Sequence, residues 1–125
     1  LGKSGGVILY PQPVFNALFE EALSVDTMNP HREAFTRLVL GNAYDDVPFD
    51  AQGRIVVPKR LREEARLTGV LLLVGCGDRL EIWDQEEWVK FNFAPEKYNV
   101  ERRDAIDEAY SKMLFSRQAA KEATA

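Results

Sequence analysis

Two stretches of the chain resemble each other at a constant offset. Residues Val7–Phe15 align with residues Leu80–Trp88, 73 positions later. Each stretch combines a short extended run, an aromatic residue, a turn with glutamine in the same register, and an aromatic residue on the helix that follows. This likeness indicates an internal repeat, which constrains the whole fold. At the same offset, the partner of the turn at Asp50 would lie upstream of Leu1, so we expect one and a half copies of a two-copy pattern.

Composition and charge narrow the class of protein. The 125 residues are 46% apolar and include 16 basic and 20 acidic side chains, which gives a formal net charge of -4. This predicts one domain, or two small intertwined halves, whose core needs neither disulfides nor a metal. An acidic chain does not coat nucleic acid through bulk charge, so such binding requires a local basic patch.

The sequence predicts a cytoplasmic protein without a membrane segment. Its longest uninterrupted apolar run, Val70–Val74, is far shorter than the ~20 residues that cross a bilayer, and no export signal opens the chain. The single cysteine, Cys76, cannot form an intramolecular disulfide, so the fold does not depend on an oxidising compartment.

Capping and turn residues predict the elements of the middle of the chain. Asn29, followed by proline, predicts the start of an amphipathic helix. The tetrad Asp50–Gly53 predicts a turn, and the β-branched run Arg54–Val57 predicts a short strand after it. A helix is then predicted over Lys59–Leu67, with Gly69 as its stop.

Two strands and two helices are predicted beyond this point. The uniformly apolar run Val70–Val74 predicts a strand buried on both faces, and the alternation of Leu80 and Ile82 with Glu81 and Trp83 predicts a second strand. Asp84, with Glu87 three residues later, resembles a capping box at the start of a helix. We expect Trp83 and Trp88 to pack in the core or between subunits. A C-terminal amphipathic helix is predicted from apolar residues at helical spacing: Ile106, Ala109, Tyr110, Met113 and Leu114.

A candidate nucleic-acid interface lies in the turn at Asp50 and in the helix after it. Gly53 permits the positive φ that a tight turn needs, and Asp50 can accept hydrogen bonds from its backbone amides, so Arg54 leaves the turn in a fixed orientation. The segment Arg54–Arg66 contains five basic and two acidic residues. Guanidinium groups placed in this way contact phosphates or the edge of guanine. The alternative is a solvated helix face, with Asp50 and Arg54 merely paired across the turn.

These residues resemble a known family. The pattern Asp-x-x-Gly-Arg-x-x-x-Pro over Asp50–Pro58, a short helix, two strands and Glu-Ile-Trp-Asp ending at Asp84 closely resemble the second repeat of the MraZ family, two-repeat members of the AbrB-like transcription factors. Tyr10 and Phe15 are similar to the end of the family's first repeat. The resemblance covers nearly all of residues 1–91. The first Asp-x-x-Gly-Arg copy is absent from this sequence.

The resemblance implies an α+β fold: a swapped-hairpin AbrB-like β-barrel made of two pseudo-equivalent repeats, with flanking helices and a C-terminal amphipathic helix. It also implies a division of the chain. Residues 1–42 would be the remainder of the first repeat with a connecting helix, residues 43–91 the second repeat, and residues 92–125 the C-terminal helix and tail.

The same resemblance implies a function. Members of the family are sequence-specific DNA-binding regulators of the bacterial division and cell-wall gene cluster, which act as a homo-oligomer, a ring, on repeated promoter sites; this places the protein at the nucleoid in the cytoplasm. The family's Asp-x-x-x-Arg element faces the double-stranded DNA and falls here on Asp50 and Arg54. We therefore expect Arg54 to contact DNA and Asp50 and Gly53 to support its loop. Local charge adds three candidates to the DNA-binding residues: Lys59, Arg60 and Arg62.

A protein interaction module is the alternative function. In it, an antitoxin-like barrel would dock its C-terminal helix, Ile106–Leu114, into the groove of a partner. An enzyme is not expected, because no acid, base and nucleophile converge in the sequence. Neither is a cofactor, a metal or a small-molecule substrate.

The other residues with reactive or potentially metal-binding side chains are predicted to have no catalytic or ligand-binding role. His31 has no cysteine or histidine at ligand spacing, so we expect an exposed polar side chain. Cys76 lies between glycines and is expected to be an ordinary thiol. Asp45, Asp46 and Asp50 lack the spacing of a calcium loop and are interpreted as turn-forming carboxylates.

Overall fold

The computed structural model describes residues 1–41, 43–44 and 47–124 of the chain. This part forms an α+β fold, as predicted, in which a small antiparallel sheet is flanked by helices. In chain order the elements are β1 (Val7–Leu9), α1 (Gln12–Leu23), α2 (Pro30–Val39), α3 (Lys59–Glu64), β2 (Leu71–Gly75), β3 (Leu80–Asp84), α4 (Gln85–Phe93), a 3-10 turn (Pro95–Lys97) and α5 (Val100–Thr124). None of the helices in these described ranges is long and apolar enough to span a bilayer.

The three strands form one sheet in the order β1-β3-β2, and both pairs are antiparallel. At the centre of the β1–β3 pair, Ile8 lies opposite Glu81, which is its own counterpart at the repeat offset. Counterpart residues therefore exchange places across this pair, as a local two-fold axis requires. The neighbouring pairs are Val7 with Ile82 and Leu9 with Leu80. The two copies of the repeat thus meet in the sheet.

Both copies continue from their strand into two helices, β1 into α1 and α2, and β3 into α4 and α5. The predicted caps are confirmed at two helix starts. The side chain of Asn29 accepts the backbone N–H of His31 at 2.9 Å at the start of α2. Asp84 accepts the backbone N–H of Glu86 at 3.0 Å at the start of α4. These side chains satisfy N–H groups that have no partner inside the helix.

Two clusters of buried apolar side chains hold the elements together. The first joins α1, α2 and α5 and confirms the amphipathic C-terminal helix, because the predicted apolar residues Ile106, Ala109 and Met113 lie in it. Its members are Ala22, Val25, Phe35, Ile106, Ala109 and Met113. The second cluster joins the sheet to α3 and consists of Val7, Leu61, Ala65 and Ile82. Burial of each large aliphatic side chain contributes about 1.5–3 kcal/mol.

Trp83 is the centre of an aromatic cluster. It is next to Ile82 along β3, and successive side chains of a strand point to opposite faces, so the cluster lies on the face of the sheet away from α3. The indole is 2% exposed, and its centroid lies 5.4 Å from that of Trp88, 5.3 Å from Phe91 and 5.9 Å from Tyr98. The packing role predicted for both tryptophans is confirmed.

The predicted strand at Arg54–Val57 does not form. These residues belong to no ladder, and Val56 is 79% exposed. A strand needs a neighbour for its backbone hydrogen bonds, and none of the strands in the described ranges pairs with this segment. β-branched composition alone therefore gave the wrong element.

The prediction that the apolar run at Val70–Val74 is buried on both faces is wrong. β2 lies at the edge of the sheet, where Leu71 is 46% and Leu73 70% exposed, whereas Leu72 and Val74 are half-buried. A uniformly apolar run is typical of a strand covered on both sides. Within the described residues, only one side of β2 is covered.

The helix predicted over Lys59–Leu67 ends earlier than expected. α3 stops at Glu64, because Arg66 adopts a left-handed conformation with φ 57° and the N–H of Leu67 donates to the carbonyl of Arg62 at 2.9 Å. This is a common helix ending for glycine and an uncommon one for arginine. Gly69 lies beyond the stop and serves the loop that follows.

Candidate nucleic-acid interface

The turn that precedes α3 is closed by the side chain of Asp50. One carboxylate oxygen, Oδ1, accepts the backbone N–H of Gln52 at 2.9 Å and that of Arg54 at 2.8 Å. The other, Oδ2, accepts Nε of Arg54 at 2.8 Å. The backbone closes the same loop, since the N–H of Asp50 donates to the carbonyl of Arg54 at 2.8 Å. One side chain therefore fixes both the turn and the arginine that leaves it.

Gly53 is required by the backbone of this turn. Its φ is 75°, a conformation that costs a residue with a Cβ atom free energy, and its N–H donates to the carbonyl of Asp50 at 3.0 Å. The structure thus brings together the three turn residues singled out from the sequence: Asp50, Gly53 and Arg54.

The Asp50–Arg54 pair lies at the surface. The Arg54 side chain is 72% exposed and that of Asp50 is 42% exposed. The backbone N–H of Arg54, followed by its side chain, holds the pKa of Asp50 below its usual value, because both stabilise the charged carboxylate. The carboxylate stays ionised at neutral pH and keeps its hold on Nε. The two terminal amino groups of Arg54 form no hydrogen bond within the described part of the chain and face solvent.

The three other basic candidates lie on α3, outside the turn. Lys59 pairs with Glu63 at 3.8 Å, and Arg60 pairs with Glu64 at 3.2 Å, both one helical turn apart. Arg62 is exposed and forms no ion pair with any described residue. Exposed pairs of this kind contribute little stability, so an anion can displace the glutamates at small cost. This helix face is consistent with a solvated surface that binds no ligand and equally with a phosphate-binding surface.

α3 has only six residues, and its position depends on contacts made by its inner face and by the loop after it. Leu61 and Ala65 are buried against the sheet. The loop continues from Arg66, whose Nη1 lies 3.8 Å from the Glu87 carboxylate. Further along this loop, the N–H groups of Thr68 and Gly69 donate to Asp84. The sequence identified Asp84 as a helix cap only. The contact with a loop 15 to 16 residues away leaves no local signal.

The remaining chemistry-bearing residues form no alternative site among the described residues. Within those ranges, no group of three or more histidine, cysteine or acidic side chains could hold a metal ion. His31 is half-buried, not exposed as predicted. Burial, and then the charge of Glu81, raise the pKa of the Cys76 thiol, which favours an unreactive protonated form. Asp45 and Asp46, interpreted as turn-forming carboxylates, lie outside the described residues.

The C-terminal helix does not offer the apolar face that the interaction-module alternative requires. Ile106, Ala109 and Met113 are at most 6% exposed, because they pack against α1 and α2. The ring of Tyr110 packs on Phe35 at 5.4 Å between centroids. The face that would enter a partner's groove is already covered by the chain itself, so the structure does not favour that alternative.

These features define a class of protein. It is a small α+β unit in which two strand–helix copies meet about a local two-fold axis. On its surface it presents a closed aspartate–arginine turn, followed by a short basic helix.

The family model described as "MraZ protein, putative antitoxin-like" matches residues 40–105. The match covers more than half of the chain and includes the turn, α3, β2, β3 and α4. The chain belongs to the MraZ family.

Curated relatives agree with the family model. The chain is similar to proteins named Transcriptional regulator MraZ from Nitrosospira multiformis, 42% identical over 82 residues, and from Chromobacterium violaceum, 40% identical over 82 residues; in both cases the aligned region is 66% of this chain and 55% of the relative. The protein of that name from Heliobacterium modesticaldum is 35% identical over 91 residues, 73% of this chain and 63% of the relative. The chain spans about half the length of the curated relatives it matches.

Proposed function

We propose that the chain is the DNA-binding part of a transcriptional regulator and that Arg54 is its principal contact with double-stranded DNA. The observation that carries this proposal is the turn in which Asp50 fixes the backbone and Nε of an exposed arginine. The names of the relatives support it, since each is called a transcriptional regulator. The reaction chemistry of an enzyme has no part in this function.

The geometry of Arg54 suits a base edge or a phosphate. Because Asp50 occupies Nε, the side chain presents its two terminal amino groups end-on. A guanidinium presented in this way can donate two parallel hydrogen bonds to O6 and N7 of guanine in the major groove, or to two phosphate oxygens. A preset side chain also loses less conformational entropy on binding than a free one. Asp50 and Gly53 are then supporting residues of the loop.

We assign Lys59, Arg60 and Arg62 to the phosphate backbone. They lie on the helix directly after the turn, and their partners within the described residues, where they have any, are exposed glutamates of the same helix. Phosphate contacts carry no sequence information, but they set the register of a protein on the duplex. They would also make the affinity fall with salt.

The proposal includes assembly. One chain offers few contacts, so useful affinity requires several chains on repeated promoter sites. We propose a homo-oligomeric ring that acts at the promoter of the bacterial division and cell-wall gene cluster, at the nucleoid. The swapped-hairpin barrel, and the division into residues 1–42, 43–91 and 92–125, belong to the same proposal.

Binding to a labelled promoter duplex tests the proposal, with fluorescence anisotropy as the readout. We expect Arg54→Ala to weaken binding by about 1–3 kcal/mol, which is about 5- to 150-fold in Kd, and to reduce discrimination against a scrambled duplex. Removal of each phosphate-binding Lys or Arg should lower the slope of log K against log salt by ~0.9.

Arg37→Ala is the matched control for this experiment. Arg37 is 74% exposed and pairs with an acidic residue one helical turn away, as Arg54 pairs within its turn, but it lies on α2. Both variants remove one positive charge. If Arg54→Ala binds as Arg37→Ala does, the assigned role of Arg54 is wrong. If the wild-type chain prefers no duplex over the scrambled one, the proposed function fails.

A further inference from the structure

Asp84 joins three parts of the molecule through one buried carboxylate. The residue is 4% exposed and ends β3. Its Oδ1 accepts the N–H of Glu86 at 3.0 Å and so caps α4. Its Oδ2 accepts the N–H groups of Thr68 and Gly69, both at 3.0 Å, in the loop that leads away from α3. A helix cap needs only the first of these bonds, so the other two serve the loop.

Glu87, in the first turn of α4, adds a second buried carboxylate beside the same loop. It is 6% exposed, and its Oε2 accepts the hydroxyl of Tyr98 at 2.7 Å. Its Oε1 lies 3.4 Å from Nζ of Lys90 and 3.8 Å from Nη1 of Arg66. Burial, followed by the Glu87 carboxylate, raises the pKa of Tyr98, so its hydroxyl keeps the proton that it donates. Arg66 is the left-handed residue that ends α3.

α3 cannot set its own orientation. A helix of six residues is far below the length that is stable alone in water, and none of the described side chains caps its N-terminus. Its inner face is held by Leu61 and Ala65, which are two apolar contacts on one side of a short cylinder. The loop bonds to Asp84 and the Arg66–Glu87 pair fix its other end. These contacts therefore determine where the basic side chains of α3 point.

We propose that Asp84 and Glu87 are positioning residues for the DNA interface, which hold the end of α3 against the sheet so that its basic side chains reach phosphates while Arg54 is in contact. This inference rests on the proposed function. It goes beyond it, because neither residue touches DNA and both are anions, which oppose binding through charge alone. The first copy of the repeat has no such device, since the counterpart of Asp84 is Pro11 and that of Glu87 is Val14.

Asp84→Asn tests the proposal against a matched charge control, Asp78→Asn. Asp78 is exposed in the β2–β3 turn, at the other end of β3 from Asp84. Both variants remove one negative charge. An amide cannot accept at both of its terminal atoms, so Asp84→Asn loses the loop bonds or the cap. We expect Asp84→Asn to bind promoter DNA roughly 2- to 30-fold more weakly than wild type, and Asp78→Asn to bind equally or slightly more tightly.

The salt dependence separates positioning from a loss of folded protein. A variant that is only less stable has fewer competent molecules but makes the same phosphate contacts, so its salt slope is unchanged. A displaced α3 loses contacts, and the slope should fall by ~0.9 for each one lost. The near-ultraviolet circular dichroism of the Trp83 cluster reports the folded fraction. If Asp84→Asn does not fold, Glu87→Gln is judged by the same two readouts.

The outcomes are distinct. Weaker binding with a lower salt slope supports the proposal. Asp84→Asn binding like Asp78→Asn, or binding more weakly with an unchanged slope, overturns it while the proposed function stands through Arg54→Ala. Failure of the wild-type chain to bind specifically removes the proposed function, and this inference with it.

Discussion

The two strand–helix units of the repeat share a pattern and a strand pair, but they differ where the strand gives way to the helix. In the second unit, Asp84 caps α4 through its side chain. In the first, the matching residue is Pro11; α1 begins with prolines, and none of the described side chains caps it. Proline fixes φ for a helix start without contacting anything else, whereas a carboxylate can bind N–H groups from another part of the chain. Of these two helix starts, the one in the second unit therefore also binds another part of the chain.

The aromatic residues show the same contrast. Trp83 is 2% exposed at the centre of its cluster, whereas its counterpart Tyr10 is half-buried. The packing around Trp83 also requires a glycine just before β1, because a Cβ atom at Gly6 would lie 2.6 Å from the Trp83 indole. The absence of a side chain there lets the backbone before β1 approach the ring. Equivalence in sequence and backbone thus does not imply equivalence in burial.

The largest expected effect comes from breaking the second unit at its aromatic centre. Trp83→Ala removes a buried indole from contact with three rings and should lower the free energy of unfolding by about 3–5 kcal/mol. Tyr10→Ala, at the matching position, should cost clearly less because Tyr10 is only half-buried. Urea unfolding followed by circular dichroism measures both. Equal losses of unfolding free energy in the two variants would mean that Trp83 and Tyr10 contribute equally to stability, which their different burial does not predict.

A smaller effect is expected at the helix starts, and it depends on pH. Hydrogen bonds from the N–H groups of Thr68 and Gly69 hold the pKa of Asp84 below its usual 3.8. Since the folded pKa is depressed, this stabilisation is present above about pH 4 and is lost as the pH falls through the folded pKa. Wild type should therefore lose stability more steeply than Asp84→Asn below pH 4.

Urea unfolding at a series of pH values provides the measurement for this second prediction. The difference in unfolding free energy between wild type and Asp84→Asn should shrink in acid, because protonation of Asp84 removes the same negative charge that the substitution removes. Pro11→Ala, at the matching cap of α1, should leave the pH profile as it is in wild type. A difference between wild type and Asp84→Asn that is constant from pH 7 to the acid range would show that the charge of Asp84 is unimportant.

The smallest expected effect concerns two tyrosine hydroxyls, each of which donates a hydrogen bond to a glutamate on the first helix of one unit. Tyr98 donates to the buried Glu87 of α4 at 2.7 Å, whereas Tyr110 donates to the exposed Glu21 of α1 at 3.2 Å. Tyr98→Phe leaves a buried carboxylate with one donor fewer and should cost about 1–2 kcal/mol. Tyr110→Phe should cost less, because water can replace the hydroxyl at Glu21. Thermal unfolding compares the pair, and a larger loss at Tyr110 would contradict this assignment.

The sequence was informative wherever structure depends on neighbours along the chain. Asn29 and Asp84 were identified as caps because a cap binds N–H groups two or three residues ahead. The turn was predictable for the same reason, since Asp50, Gly53 and Arg54 interact within five residues. The two strands of the β2–β3 hairpin were also found, but the burial assigned to Leu71 and Leu73 was wrong, because burial depends on what lies across the sheet.

The sequence by itself determined the repeat, the helix caps, the periodicity of α5 and the chemistry of the aspartate–arginine turn, because these features are written in residues close to one another. Only the tertiary structure decided that Ile8 pairs with its own counterpart Glu81, that Arg54–Val57 pairs with none of the described strands, and that Asp84 and Glu87 hold the end of α3. These outcomes depend on which surfaces and N–H groups meet after the chain has folded. Local propensity measures the preference of a segment for a backbone conformation, and it contains no information on its distant partners.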